Sequence, residues 1–186
     1  MNKDYKFHRM TGFTMIELIV VIVILGVLSA VALPRFTNVQ RDARIAKLNA
    51  ARGAVQSAAA LIHGTALARG GVADTIACPG GGTGPNPANN VANICTESGR
   101  LTMINAYPTA NLNGIINAAG LTTTFPATAA ALTAEGYSTT GGGGAAGAVL
   151  TVRVNGGSAV ANCSFTYTAP AANAAPTVST IVTTGC

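Results

Sequence analysis

Hydrophobic positions change their spacing three times along the chain. From Phe13 to Leu33 they run almost without interruption, 21 residues broken mainly by Glu17, Gly26 and Ser29. Such a run makes a helix of about 32 Å, close to the roughly 30 Å of a bilayer's hydrocarbon. Pro34 and Arg35 follow, and the period becomes helical. Ile45, Leu48, Val55, Ala59 and Ile62 fall at spacings of 3, 7, 4 and 3, one narrow stripe on a helix reaching about Ala68. Gly70 and Gly71 end it. Residues 72–147 carry little periodic signal. Pro79–Pro85 and the glycine runs at 80–84 and 141–144 read as surface loops, with short helices expected at Leu112–Ala119 and Pro126–Glu135. Alternation returns near the end. Val149–Val154, a turn at Asn155-Gly156-Gly157, and Val160–Tyr167 predict a β-hairpin, and Thr177–Thr183 a third strand. The expected fold class is α+β: a long N-terminal hydrophobic helix with a C-terminal antiparallel sheet packed on the stripe of its upper part.

Gly26 and Pro34 are weak points of that helix. Glycine costs about 1 kcal/mol relative to alanine, and proline removes a backbone donor and is expected to kink the rod. Uninterrupted from Phe13 to Ala68, the helix would be roughly 80 Å long. A rod of that length needs lipid, a head domain or neighbours to cover it.

Composition sharpens the picture. Only 9% of the 186 residues are charged, and 49% are hydrophobic, against roughly 25% charged in an average soluble domain. The formal net charge of +5 is concentrated in Met1–Gly12 and in Arg35–Arg52; from Gly53 onward three arginines balance three acids. That pattern flanks a membrane segment and does not line a nucleic-acid groove. The apolar run is also longer than the 7–15-residue core of a cleavable secretory signal. It therefore reads as a permanent membrane helix. Basic residues lie on both sides of it, so they do not fix its orientation.

Glu17 is the exception within this run. A carboxylate there costs roughly 2.5–3.5 kcal/mol at the bilayer centre and less near the interface. Two readings stand. Thr14-x-x-Glu17 forms a capping box at the helix start, or Glu17 receives a cation from a partner subunit.

The segment Gly12-Phe13-Thr14-Met15-Ile16-Glu17-Leu18, with its short basic leader and long apolar helix, resembles a type IV prepilin. The resemblance covers residues 9–36 closely, Gly26 and Pro34 included. It implies a leader at 1–12 removed by a membrane-embedded prepilin peptidase after Gly12, with N-methylation of the new terminal Phe13. It further implies a membrane and filament-core helix at 13–34, an amphipathic continuation at 35–68 and a globular head at 69–186. Glu17, Gly26 and Pro34 take assembly roles, the stretch between the last two losing helicity as subunits pack. Implied partners are other pilin subunits, the membrane, and the assembly platform with its ATPase. The implied localisation is an inner-membrane precursor that becomes an extracellular filament used for adhesion or motility. Pro34-Arg35-Phe36, Arg41-Asp42-Ala43-Arg44, Tyr107-Pro108 and Cys186 are similar, more narrowly, to mannose-sensitive haemagglutinin-type pilins. A pseudopilin of a type II secretion system shares the same N-terminus, and the four cysteines with long Gly/Thr loops favour a pilus over it. A DNA-uptake pilin calls for a basic head, which the balanced charge after Arg52 speaks against.

Cys78, Cys95, Cys163 and Cys186 all lie in the expected head, where an even count points to disulfides. Three pairings exist. Cys78–Cys95 and Cys163–Cys186 are favoured, closing loops of 17 and 23 residue steps, each worth roughly 3 kcal/mol by loop entropy. No Cys-x-x-Cys or Cys/His pair has zinc spacing. The glycine runs lack the Lys-Ser/Thr of a phosphate loop. His8 and His63 are isolated, and Lys47 and Arg52 read as a solvated helix face. No catalytic, cofactor-binding or metal site is expected, nor a specific nucleic-acid partner.

Overall fold

The computed structural model describes residues 12–79 and 87–186. Residues 1–11, all but the last of the expected leader, and the whole glycine run at 80–84 lie outside them. The chain divides into two units, Met1–Gln40 and Arg41–Cys186, with the division inside the first helix.

Helix α1 spans Met15–Arg69. Its last turn is closed by Gly70, whose N–H reaches the carbonyls of Ala66 and Leu67. Gly70 and Gly71 both take positive φ, the left-handed conformation that glycine adopts at low cost at a helix C-terminus. α1 continues through Gly26 and Pro34, so neither residue ends the helix in the isolated chain.

The second unit is α+β, with two antiparallel sheets among its described residues. The first contains β1 (Asn93–Thr96), β2 (Gly99–Ile104) and β3 (Tyr107–Pro108) in that order. The second contains β4 (Tyr137–Gly141), β5 (Val149–Val154), β6 (Ser164–Thr168) and β7 (Thr177–Val178), also in sequence order. Between the sheets in sequence lie a π-helical turn, Leu112–Ile116, and α2, Ala129–Ala134, capped by the Thr128 hydroxyl on the Ala131 N–H.

The stripe on α1 is the seam of the core. Leu48, Val55 and Ala59 are buried with Ile115, Leu132, Val152, Phe165 and Tyr167, while Ile62 and Ala66 join Ile94, Leu101 and Met103 under the first sheet. Each large side chain buried this way stabilises by about 1.5–3 kcal/mol. β5 shows the alternation that drives it, with Leu150, Val152 and Val154 facing the core and Thr151 and Arg153 facing away.

Several expectations need correction. The region 93–108, where the sequence carries little periodic signal, forms the three-stranded sheet. The second half of the expected hairpin begins with a 3-10 turn at Val160–Asn162, and β6 starts only at Ser164. The third strand is Thr177–Val178, with an isolated bridge from Val182 to Ser164. The glycines at 141–144 are not free loop material: Gly141 belongs to β4, Gly143 bridges Ala110, and a Cβ on Gly142 would lie 2.8 Å from Leu150 Cδ1. Gly114 is similarly committed, because a Cβ there would lie 2.7 Å from the Thr109 backbone nitrogen. Gly114→Ala is expected to lower head stability by about 1–3 kcal/mol, through overpacking. Urea unfolding of the full chain in detergent measures it; an unchanged midpoint would refute the close packing.

Candidate functional site

The N-terminal unit presents an apolar helix with nothing on it. Met15–Ala32 has a mean hydropathy of 2.8, and none of the span is buried. From Phe13 to Val31 the large apolar side chains are exposed, the least of them by 49%. Water does not tolerate that much apolar surface on a monomer, so lipid or other protein must cover it.

Its start is a closed polar arrangement. The Thr14 N–H and hydroxyl both donate to Glu17 Oε2 at 2.8 Å, and the Glu17 N–H donates to Thr14 Oγ1 at 3.3 Å. This is the capping box that the Thr-x-x-Glu spacing suggested. In the isolated chain Glu17 thus satisfies first-turn donors locally. Gly12 and Phe13 precede the helix and are exposed, so the Gly12–Phe13 peptide bond stands clear of helical hydrogen bonding. Gly26 is exposed too, and a Cβ built on it meets nothing within 4 Å.

In the head, Cys78 is joined to Cys95 and Cys163 to Cys186, with Cα separations of 5.2 and 4.8 Å. His63 stacks on Tyr107, ring centroids 3.9 Å apart. No group of three or more His, Cys, Asp or Glu that could hold a metal occurs among the described residues.

The basic side chains of α1 behave differently from the solvated face expected of them. Arg44 Nη1 donates to the Cys186 carbonyl at 2.8 Å and Arg52 Nε to the Ser179 carbonyl at 2.7 Å. Lys47 donates to the Glu135 carbonyl and sits 4.4 Å from the Tyr137 ring centroid. Nothing local in the sequence signals this, because the acceptors are main-chain groups 88 to 142 residues away.

Residues 8–33 match the family model of the prokaryotic N-terminal methylation motif. The chain is also similar to the Type IV narrow pilus major component PilA5 of Thermus thermophilus, 49% identical over 53 residues. The N-terminal segment thus carries the methylation motif and resembles that of a type IV pilus component. The match to the Thermus protein covers 28% of this chain and 46% of that relative, so this chain spans about half its length. No solved structure matches. The family model falls on the exposed apolar helix and its capped start, whereas the head stands on its own geometry.

Proposed function

We propose that the chain is a structural subunit of a type IV pilus, made as a single-pass inner-membrane precursor and assembled into an extracellular filament. The observation that carries this reading is the uncovered apolar helix opening directly on the methylation motif. Fifteen large apolar side chains lie between Phe13 and Leu33. Each is worth roughly 1.5–3 kcal/mol out of water, so a subunit leaving the bilayer must exchange lipid for other helices. Polymerisation does that without a covalent step. Prepilin peptidase would cut after Gly12 and Phe13 would be N-methylated. Gly26 and Pro34 would bound the stretch of α1 that loosens on packing, and the assembly platform with its ATPase would extract the subunit. The similarity to a pilus component favours a pilus over a secretion pseudopilus, and the balanced head charge favours it over a DNA-uptake pilin. The narrower likeness to mannose-sensitive haemagglutinin-type pilins belongs to the same proposal, with adhesion or motility as the filament's use.

Surface fibres purified from cells expressing the protein are expected to contain it with methylated Phe13 as first residue, read by N-terminal mass spectrometry. A mature chain beginning beyond Leu33 would overturn the filament reading, because the packing helix would be gone.

A further inference from the structure

From Gly53 onward the chain has six charged side chains, three of each sign. Arg69 pairs with Asp74 at 3.5 Å, and Asp74 also accepts from Asn90. Glu135 accepts from the Thr123 hydroxyl, and Arg100 is engaged within the chain. Two remain. Among the described residues, Arg153 and Glu97 have neither an ion pair nor a side-chain hydrogen bond.

Each occupies a conspicuous place. Arg153 lies on β5, an inner strand of the second sheet, on the face turned away from the core, in register with Ser138 on one side and Ser164 on the other. Its Nε is buried without an acceptor. The residue as a whole is partly exposed, so its outer nitrogens can meet an incoming anion while the buried Nε lacks an acceptor. The face around it carries hydroxyls, Thr140, Thr151 and Thr166 forming the next row, and no carboxylate. Glu97 sits at the tip of the β1–β2 hairpin. Thr96 pairs with Gly99, so Glu97 and Ser98 alone make the turn, and Glu97 is exposed.

We propose that the Glu97 turn of one subunit docks on the outer face of the four-stranded sheet of a second copy of this chain, its carboxylate meeting Arg153. Charge complementarity favours a second copy: from Gly53 onward each chain offers, among the described residues, one anion and one cation without a partner, and the two are of opposite sign. The two patches are different surfaces, so the contact is heterologous and repeats from subunit to subunit. An arginine can hold a carboxylate through two parallel hydrogen bonds, which fixes the angle of approach. A single pair of this kind is modest, but a filament repeats it at every step. The proposal rests on the filament reading above and adds to it the head contact that sets register.

Charge reversal tests it. Glu97→Arg and Arg153→Glu are each expected to lower fibre yield about tenfold or more, the factor that roughly 1.4 kcal/mol per contact produces, because each places like charges together. The double variant is expected to regain most of the yield. A second measurement does not depend on Arg153→Glu folding. In fibres of Arg153→Lys, a carbodiimide is expected to join Glu97 of one subunit to the substituted side chain of another, found as an intersubunit peptide by mass spectrometry. Normal yield from both single reversals overturns the head contact and leaves the filament reading standing. Failure of the double variant to recover, with no such cross-link, does the same. Absence of fibres from the wild-type protein overturns both.

Discussion

Glu17→Leu is expected to leave the protein in the membrane, cut after Gly12, and unable to form fibres. Loss of the capping box alone does not predict this. Removing an N-terminal cap costs about 0.5–2 kcal/mol and frays a turn, while leucine makes the segment easier to insert. The larger effect follows from what surrounds Glu17 in a packed filament core. The proposed cleavage would give Phe13 a charged amine at the helix start, and an amine in an apolar interior is as costly as a carboxylate. In the isolated chain Thr14 occupies one Glu17 oxygen at 2.8 Å, which leaves the carboxylate capacity for a further donor. We propose that this donor is the Phe13 amine of a neighbouring subunit. The pair gains little net energy over hydrophobic packing, because desolvation offsets much of the attraction. Its value is register: a subunit docked one step off leaves two buried charges unpaired, at several kcal/mol. Fibre yield, with membrane level and N-terminal mass checked in the same cells, decides the matter. Wild-type yield from Glu17→Leu would leave the capping box as the whole role of this residue.

How much of this the sequence discloses depends on the distance between interacting groups. The apolar run is one continuous stretch and the capping box spans three residue steps, so both are legible from local spacing. So is the buried stripe on α1, since helical period and burial coincide at Leu48, Val55, Ala59 and Ile62. The first sheet was hidden because its strands are short and its alternation is carried by few large residues, Ile94, Leu101 and Met103, between polar neighbours. At Val160–Tyr167 the alternating pattern spoke for one strand, yet the chain first makes a 3-10 turn and then leads through Cys163 into β6, where the disulfide to Cys186 holds it. The clamp of Arg44, Lys47 and Arg52 on distant carbonyls is beyond any local reading, because main-chain acceptors leave no mark in the sequence. The unpartnered Arg153 is hidden for the converse reason, as only the folded sheet shows which charges lack a partner.

Tyr167 is expected to be the most sensitive single position in the head. It is fully buried on β6, and its hydroxyl donates to the Pro108 carbonyl of β3 at 2.7 Å, tying the second sheet to the first. Tyr167→Ala removes a large side chain from the main core and is expected to cost about 3–5 kcal/mol, a large part of the roughly 5–15 kcal/mol that stabilises a typical domain. Tyr167→Phe keeps the ring and strands only the carbonyl, for about 1–3 kcal/mol. The phenol also gives the head a pH dependence of definite sign. Burial, reinforced by the neighbouring Tyr107, pushes its pKa well above the ordinary value, and burial with the nearby Glu135 carboxylate raises Tyr137 as well. The unfolded chain releases these protons near pH 10, while the folded chain still holds them. The stabilisation is therefore complete below about pH 10 and declines as pH rises beyond it. Urea midpoints of the full chain in detergent, followed by near-ultraviolet circular dichroism from pH 7 to 11, are expected to fall above pH 10 in the wild type and less steeply in Tyr167→Phe. Equal midpoints for the two proteins at pH 7, or equal slopes above pH 10, would show that the hydroxyl does not join the sheets.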